Sequence, residues 1–152
     1  MDFVIRPLTA ADEPLLWEML YQALQGAAES APPPREIVQR PEYARYVEGW
    51  GADGDRGYVA HDKKDKAALG AVWLRPPNES QAIPELAFTV QSGHRKRGIG
   101  AALLTHWVRA NPGQDAVSLK VRPNSPAVRL YERFGFKVAE ESDKSVLMRR
   151  VG

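Results

Sequence analysis

The feature that most constrains this chain is the run His94-Arg95-Lys96-Arg97-Gly98-Ile99-Gly100-Ala101-Ala102-Leu103-Leu104. It is basic and punctuated by glycine, and it passes directly into an apolar periodicity. Ile99, Leu103 and Trp107 recur every fourth residue, with Leu104 and Val108 beside them, so one helical face is buried. Ile83 to Val90 upstream reads as a strand. The order is strand, basic loop, glycines in the first helical turn, helix. The first backbone N–H groups of a helix lack partners and sit at the positive end of its dipole. Glycines there remove Cβ atoms and let an anion approach the backbone. Arg95, Lys96 and Arg97 add charge at the same opening. A guest with several phosphates fits such a start.

The neighbouring residues narrow the choice of guest. A Walker loop needs Lys and Ser or Thr after its second glycine, and Ala101 and Ala102 stand there. A dinucleotide fingerprint needs a third glycine where Leu103 lies. A formal charge of +2 does not demand a nucleic-acid partner, and the basic patch carries no interleaved aromatics. With no cysteine, disulfides, thiolate metal sites and a cysteine acyl-enzyme are excluded. No metal site is expected. No apolar run spans a bilayer and no signal-peptide pattern opens the chain, so the expectation is a cytoplasmic protein without a membrane partner. At 152 residues the chain suits a single domain over 1–152.

The rest of the chain predicts a short strand from Phe3 to Leu8, ended by Pro7. A helix starts on the capping sequence Thr9-Ala10-Ala11-Asp12 and runs to about Gly26. Pro41 interrupts a second helical stretch, from about Arg35 to Trp50, which predicts two short helical pieces or one kinked helix. Strands follow at Arg56 to His61 and Ala67 to Leu74, around an Asp62-Lys63-Lys64-Asp65 turn. Ala116 to Val121 alternates as a strand. Ser125, Pro126 and Gly135 bracket a last helix, and two strands, Val138 to Glu141 and Ser145 to Met148, close the chain.

Two motifs in this order carry a family resemblance. The first is Arg95-x-x-Gly98-x-Gly100. The second is Asn124-x-x-Ala127-x-x-Leu130-Tyr131-x-x-x-Gly135-Phe136, which follows a strand. Together with the element order they resemble the GNAT superfamily of acyl-CoA N-acyltransferases across nearly the whole chain. Ser92-Gly93-His94 departs from the proline-containing turn and aromatic often found before the basic residue. The resemblance implies an α/β fold (α+β in some schemes). Its centre is a mixed, mostly antiparallel twisted sheet of six to seven strands flanked by four helices. That sheet would be splayed between the strands near 83–90 and 116–121.

The resemblance further implies direct transfer of an acetyl group from the cosubstrate acetyl-CoA to a primary amine on a small molecule or peptide. The backbone of Arg97, Gly98, Ile99, Gly100 and Ala101 would hold the pyrophosphate, aided by Arg95 and Lys96. The strand Leu86 to Val90 would pair with the pantetheine arm. The attacking amine must first lose a proton, since an alkylammonium has a pKa of about 10.4. Glu85, just before that strand, is the candidate base, directly or through water. Embedded among apolar neighbours, such a base would have a pKa raised toward neutrality. Val90 or Phe88 would supply the oxyanion N–H. Tyr131 matches the family tyrosine near the sulfur and would protonate the leaving thiolate. Asn124 would position the cofactor or the splayed strand. Trp17, Tyr21 and Tyr46, with Tyr43 and Trp50, are candidate acceptor walls, and Glu85 borders the same cleft. Family habit points to a homodimer. The competing reading is a non-catalytic acyl-CoA sensor on the same scaffold.

Overall fold

The computed structural model describes residues 2–26, 33–76, 83–91, 98–111, 116–121, 123, 125, 127–143 and 145–151, with Gln25 and Gly26 described by backbone alone. Among the described residues, seven strands and four α-helices follow one another along the chain. They are β1 (Phe3–Pro7), α1 (Glu13–Gly26), α2 (Pro41–Ala44), β2 (Arg56–Asp62), β3 (Ala68–Leu74), β4 (Ala87–Val90), α3 (Ile99–Ala110), β5 (Val117–Val121), α4 (Ala127–Arg133), β6 (Lys137–Glu141) and β7 (Val146–Arg150). Short 3-10 turns at Ala10–Asp12 and Arg35–Gln39 precede α1 and α2. Of the two outcomes expected at Pro41, two short pieces are found, because Pro41 cannot donate into the preceding turn and instead opens α2; the helix expected to reach Trp50 ends at Ala44, with turns beyond it.

The strands form a four-stranded sheet in the order β1-β2-β3-β4 and a three-stranded sheet in the order β5-β7-β6, with every named pairing antiparallel. One parallel bridge, Glu85 to Ser118, joins them. The Leu86 N–H donates to the Ser118 carbonyl at 2.7 Å, and the Ser118 N–H donates to the Pro84 carbonyl at 3.0 Å. Among the described residues no ladder continues it between β4 and β5. The sheet is therefore mixed, mostly antiparallel, and splayed where the sequence led us to look. The strand expected over Ile83 to Val90 is shorter than predicted. Its first residues make only this bridge, since Pro84 has no N–H to give a ladder.

β3 is buried from Leu69 onward on both faces, which explains its unbroken apolar run. Alternation sends Val72 and Leu74 to one face, with Leu103, Leu104, Trp107 and Met148 from α3 and β7. Ala71 and Trp73 go to the other, with Leu16, Met19 and Leu20 of α1 and Val47 and Trp50 of the segment after α2. Each fully buried Leu or Ile contributes about 1.5–3 kcal/mol relative to exposure. Helices on both faces thus hold β4 at the middle of the molecule. β6 is exposed along its length, with a register shift between Val138 and Glu140.

Candidate active site

The extended stretch from Glu85 through β4 carries two environments about 10 Å apart, given some 3.3 Å per strand residue. The first lies at Glu85, where the two sheets meet. The Glu85 side chain is only 7% exposed. Its Oε2 accepts the Tyr46 hydroxyl proton. Its Oε1 lies 3.3 Å from Arg45 Nη2 and 3.8 Å from Lys120 Nζ. Arg45 also donates to the Tyr46 hydroxyl oxygen at 2.9 Å and stacks on that ring, 4.2 Å from its centroid. The described polar contacts of Glu85 are with two cations and a phenol. Lys120 reaches it because the bridge at Ser118 brings β5 alongside, and Lys120 stands two residues further on the same face.

Burial foremost, and the adjacent Glu85 carboxylate next, push the Tyr46 hydroxyl well above the usual phenol range, with Arg45 opposing. Tyr46 therefore stays protonated and donates. Its place is set by β3. The Trp73 indole N–H donates to the Tyr46 carbonyl at 3.0 Å. Arg75 donates to the Arg45 carbonyl at 3.4 Å and also to the Glu48 carbonyl. Arg75 is itself held by the carboxylate of Asp55, at 3.3 and 3.2 Å. A cavity of about 40 Å³ opens here, with Arg45, Tyr46, Arg75 and Glu85 on its polar side. Trp73, Pro76 and Pro84 form its apolar side.

The second environment lies further along β4, against α3 and α4. Gly98 precedes α3 with φ +78°, a left-handed conformation that glycine adopts without strain. A Cβ built there would meet nothing within 4 Å. Gly100 is buried instead. Its Cβ would come within 3.1 Å of the Phe88 ring and 3.6 Å of Val90. The two glycines thus do different things: Gly98 leaves open space before the helix, and Gly100 lets α3 close onto β4. Ile99 is fully buried and Ala101 half-buried on the same first turn. Tyr131 is 5% exposed, its ring edge-on to Phe88 and Phe136 at centroid distances of 5.8 and 6.0 Å. Burial pushes its hydroxyl above the usual phenol range. Gly135, at φ +92°, closes the turn after α4, and the Phe136 N–H donates back to the Tyr131 carbonyl at 3.1 Å.

The structure therefore joins Glu85 to Tyr46, and Phe88 and Val90 to Gly100 and Tyr131. Arg95, Lys96, Arg97 and Asn124 lie outside the described residues. Of the other expected walls, Trp17 donates its indole N–H to Glu13 at 3.1 Å. The Tyr21 hydroxyl donates to the Pro33 carbonyl at 2.7 Å, with Arg35 above its ring. Tyr43 packs on the core beneath α1. Trp50 is 6% exposed and donates to the Thr9 carbonyl at 3.1 Å, which places it in the core. Only Tyr46 and Glu85 of the named walls line the cavity. Sequence reading missed Arg45, Arg75 and Lys120. Arg45 beside Tyr46 was the one local signal; Arg75, just after β3, and Lys120, in β5, are remote from it in sequence.

No curated protein matches the sequence significantly. Solved structures do match its fold. A Pyrococcus horikoshii OT3 protein is similar with a TM-score of 0.72 and 24% identity, covering 99% of this chain and 98% of that one. A GCN5-related N-acetyltransferase from Kribbella flavida gives 0.67 and 23%, covering 99% and 98%. A ribosomal-protein-alanine N-acetyltransferase from Brucella melitensis gives 0.68 and 19%, covering 98% and 99%. The model of the Acetyltransferase (GNAT) family matches residues 17–136, which takes in β4, the glycine-started helix and the Tyr131 motif. The chain belongs to the GNAT acetyltransferase family.

Proposed function

We propose that this acetyltransferase moves an acetyl group from acetyl-CoA directly to a primary amine. The observation that carries the reading is the break between β4 and β5: they pair at one bridge and then part, beside a helix whose glycine start leaves open space. A strand edge with no ladder to its neighbour among the described residues is suited to an extended amide-bearing arm. The start of α3 offers unpartnered N–H groups and a positive dipole end to a diphosphate. Gly98, Ile99, Gly100 and Ala101 would hold that diphosphate, joined by Arg95, Lys96 and Arg97 from the preceding loop. Asn124 would position the cofactor or the strand opposite.

The cosubstrate supplies an activated acetyl thioester; the chain supplies proton handling and position. Glu85 takes the proton that the incoming ammonium must lose, directly or through a water, and Tyr46 holds its second oxygen in place. As the C–N bond forms, negative charge gathers on the carbonyl oxygen, and an N–H of β4 at Phe88 or Val90 accommodates it. The C–S bond then breaks, and Tyr131 gives its proton to the departing thiolate. The raised proton affinity of Tyr131 keeps it protonated until then. The same burial also raises the proton affinity of a thiolate left in that setting, which keeps the transfer feasible.

Calorimetric titration with acetyl-CoA, against ATP and NAD, tests the reading first. Micromolar binding of acetyl-CoA, with ATP and NAD at least about tenfold weaker, is the expected outcome. CoA release that requires an added amine would then separate an enzyme from an acyl-CoA sensor. Failure of acetyl-CoA to bind would remove the basis for the steps above.

A further inference from the structure

We propose that Lys120 is itself an acetyl acceptor: the protein acetylates this side chain once, in its own site, from bound acetyl-CoA. The inference rests on the acetyl-transfer reading above and starts from where the Lys120 amine lies. Glu85, the residue assigned to take a proton from an incoming ammonium, already has an ammonium beside it, with Lys120 Nζ 3.8 Å from Oε1. Tyr46 donates to the other oxygen, Oε2, and Oε1 faces the amine. Among the described residues Lys120 is the one lysine paired with Glu85. Lys63 and Lys64 lie in the turn between β2 and β3 and Lys137 opens β6, all three exposed.

The backbone sets this placement. Glu85 and Ser118 form the parallel bridge, and Lys120 stands two residues further along β5 on the same face. In the register that the bridge starts, Lys120 comes abreast of Ala87, next to Phe88, whose N–H is one of the two offered to the oxyanion. β7 holds β5 from the other side, where Lys120 pairs with Leu147, so the backbone is fixed. The side chain is not: it is 54% exposed, and a contact of 3.8 Å holds an exposed ammonium weakly. Its flexible four-carbon stem can swing the amine from Glu85 to a thioester lying between the strands. An ammonium has no lone pair to attack with, so one proton passes to Glu85 and on to solvent. The Lys120 nitrogen then bonds to the acetyl carbonyl carbon, and the C–S bond breaks. A second proton leaves the nitrogen as the amide forms and replaces the one that Tyr131 gives to the thiolate. The products are acetylated Lys120, the CoA thiol and one proton. The amide carries no charge and is no longer a nucleophile, so the reaction happens once per molecule.

The full chain, incubated with saturating acetyl-CoA and no added amine, tests this by peptide mass mapping and CoA release. One acetyl group and one equivalent of CoA per chain are expected, with Lys120 modified at least about tenfold faster than Lys63, Lys64 or Lys137. The rate per molecule should stay the same when the protein is diluted, because the step is intramolecular. Glu85→Gln should slow Lys120 acetylation at least about tenfold. Lys120→Arg should remove the equivalent of CoA while the acetyl-CoA Kd stays within about threefold. Lys120 acetylated no faster than the exposed lysines, with acetyl-CoA bound, overturns the proposal and leaves the acetyl-transfer reading standing. A rate that rises with protein concentration, or one untouched by Glu85→Gln, overturns it as well. No binding of acetyl-CoA overturns both.

Discussion

At the scale of single residues the site depends on how two similar side chains are surrounded. Tyr46 and Tyr131 are both phenols with raised proton affinity, yet one donates to a carboxylate and the other packs between two phenylalanine rings. Only the first has a partner that fixes its direction among the described residues. Glu85→Gln should lower kcat about 100-fold at pH 7, since an amide oxygen cannot take the ammonium proton. That rate should partly recover toward pH 10, where the amine loses its proton unaided. Tyr131→Phe should lower kcat at least about tenfold while the acetyl-CoA Kd stays within about threefold. A pH profile for Glu85→Gln parallel to that of the parent protein, or an unchanged kcat for Tyr131→Phe, would remove the residue concerned from the mechanism. Glu85 was legible in sequence by its place before β4. Its companions were not, because Arg45 and Lys120 come from segments 40 and 35 positions away (85 − 45 and 120 − 85) and no periodicity links them.

At the scale of elements, the junction between β1 and α1 sets how the first helix lies over the sheet. Arg6 donates to both carboxylate oxygens of Asp12, at 2.9 and 2.8 Å, and the Thr9 N–H donates to the same carboxylate at 2.7 Å. These contacts, led by the Arg6 hydrogen bonds, hold the Asp12 pKa at about 2 against an ordinary 3.8. The folded value is depressed, so the contribution is fully present above 3.8 and is lost as pH falls through about 2. Arg6 is 40% exposed, and after solvent screening the tie contributes on the order of 1–2 kcal/mol. Urea unfolding of Asp12→Asn should show that loss at pH 6, with the difference from the parent protein vanishing near pH 2. A constant difference across that range would assign the stabilisation to packing. The capping sequence Thr9 to Asp12 was readable because its signals lie within four residues. The partnership with Arg6 across Pro7 was not, since it needs β1 and α1 placed first.

At the scale of the whole molecule, the opening between β4 and β5, where no ladder joins the two strands among the described residues, is the place proposed for the cosubstrate. Filling it should stabilise the fold. At about 100 times its Kd a ligand that binds only the native state adds about 2.7 kcal/mol. For a chain of this size, acetyl-CoA at that level should raise Tm by roughly 5–10 °C. An unchanged Tm would mean that the opening does not hold it. The sequence alone determined the order of strands and helices, where α1 and α3 start, and the buried faces, because each rests on periodicity or capping within about a dozen residues. It also determined family membership, through two motifs at a set separation. Only the tertiary structure decided which strands pair and which part, that Gly98 leaves open space while Gly100 packs against Phe88, and that Glu85 stands among Arg45, Tyr46 and Lys120. Those outcomes depend on contacts between residues far apart in the chain. Local propensity and spacing carry no term for such contacts until the sheets have come together.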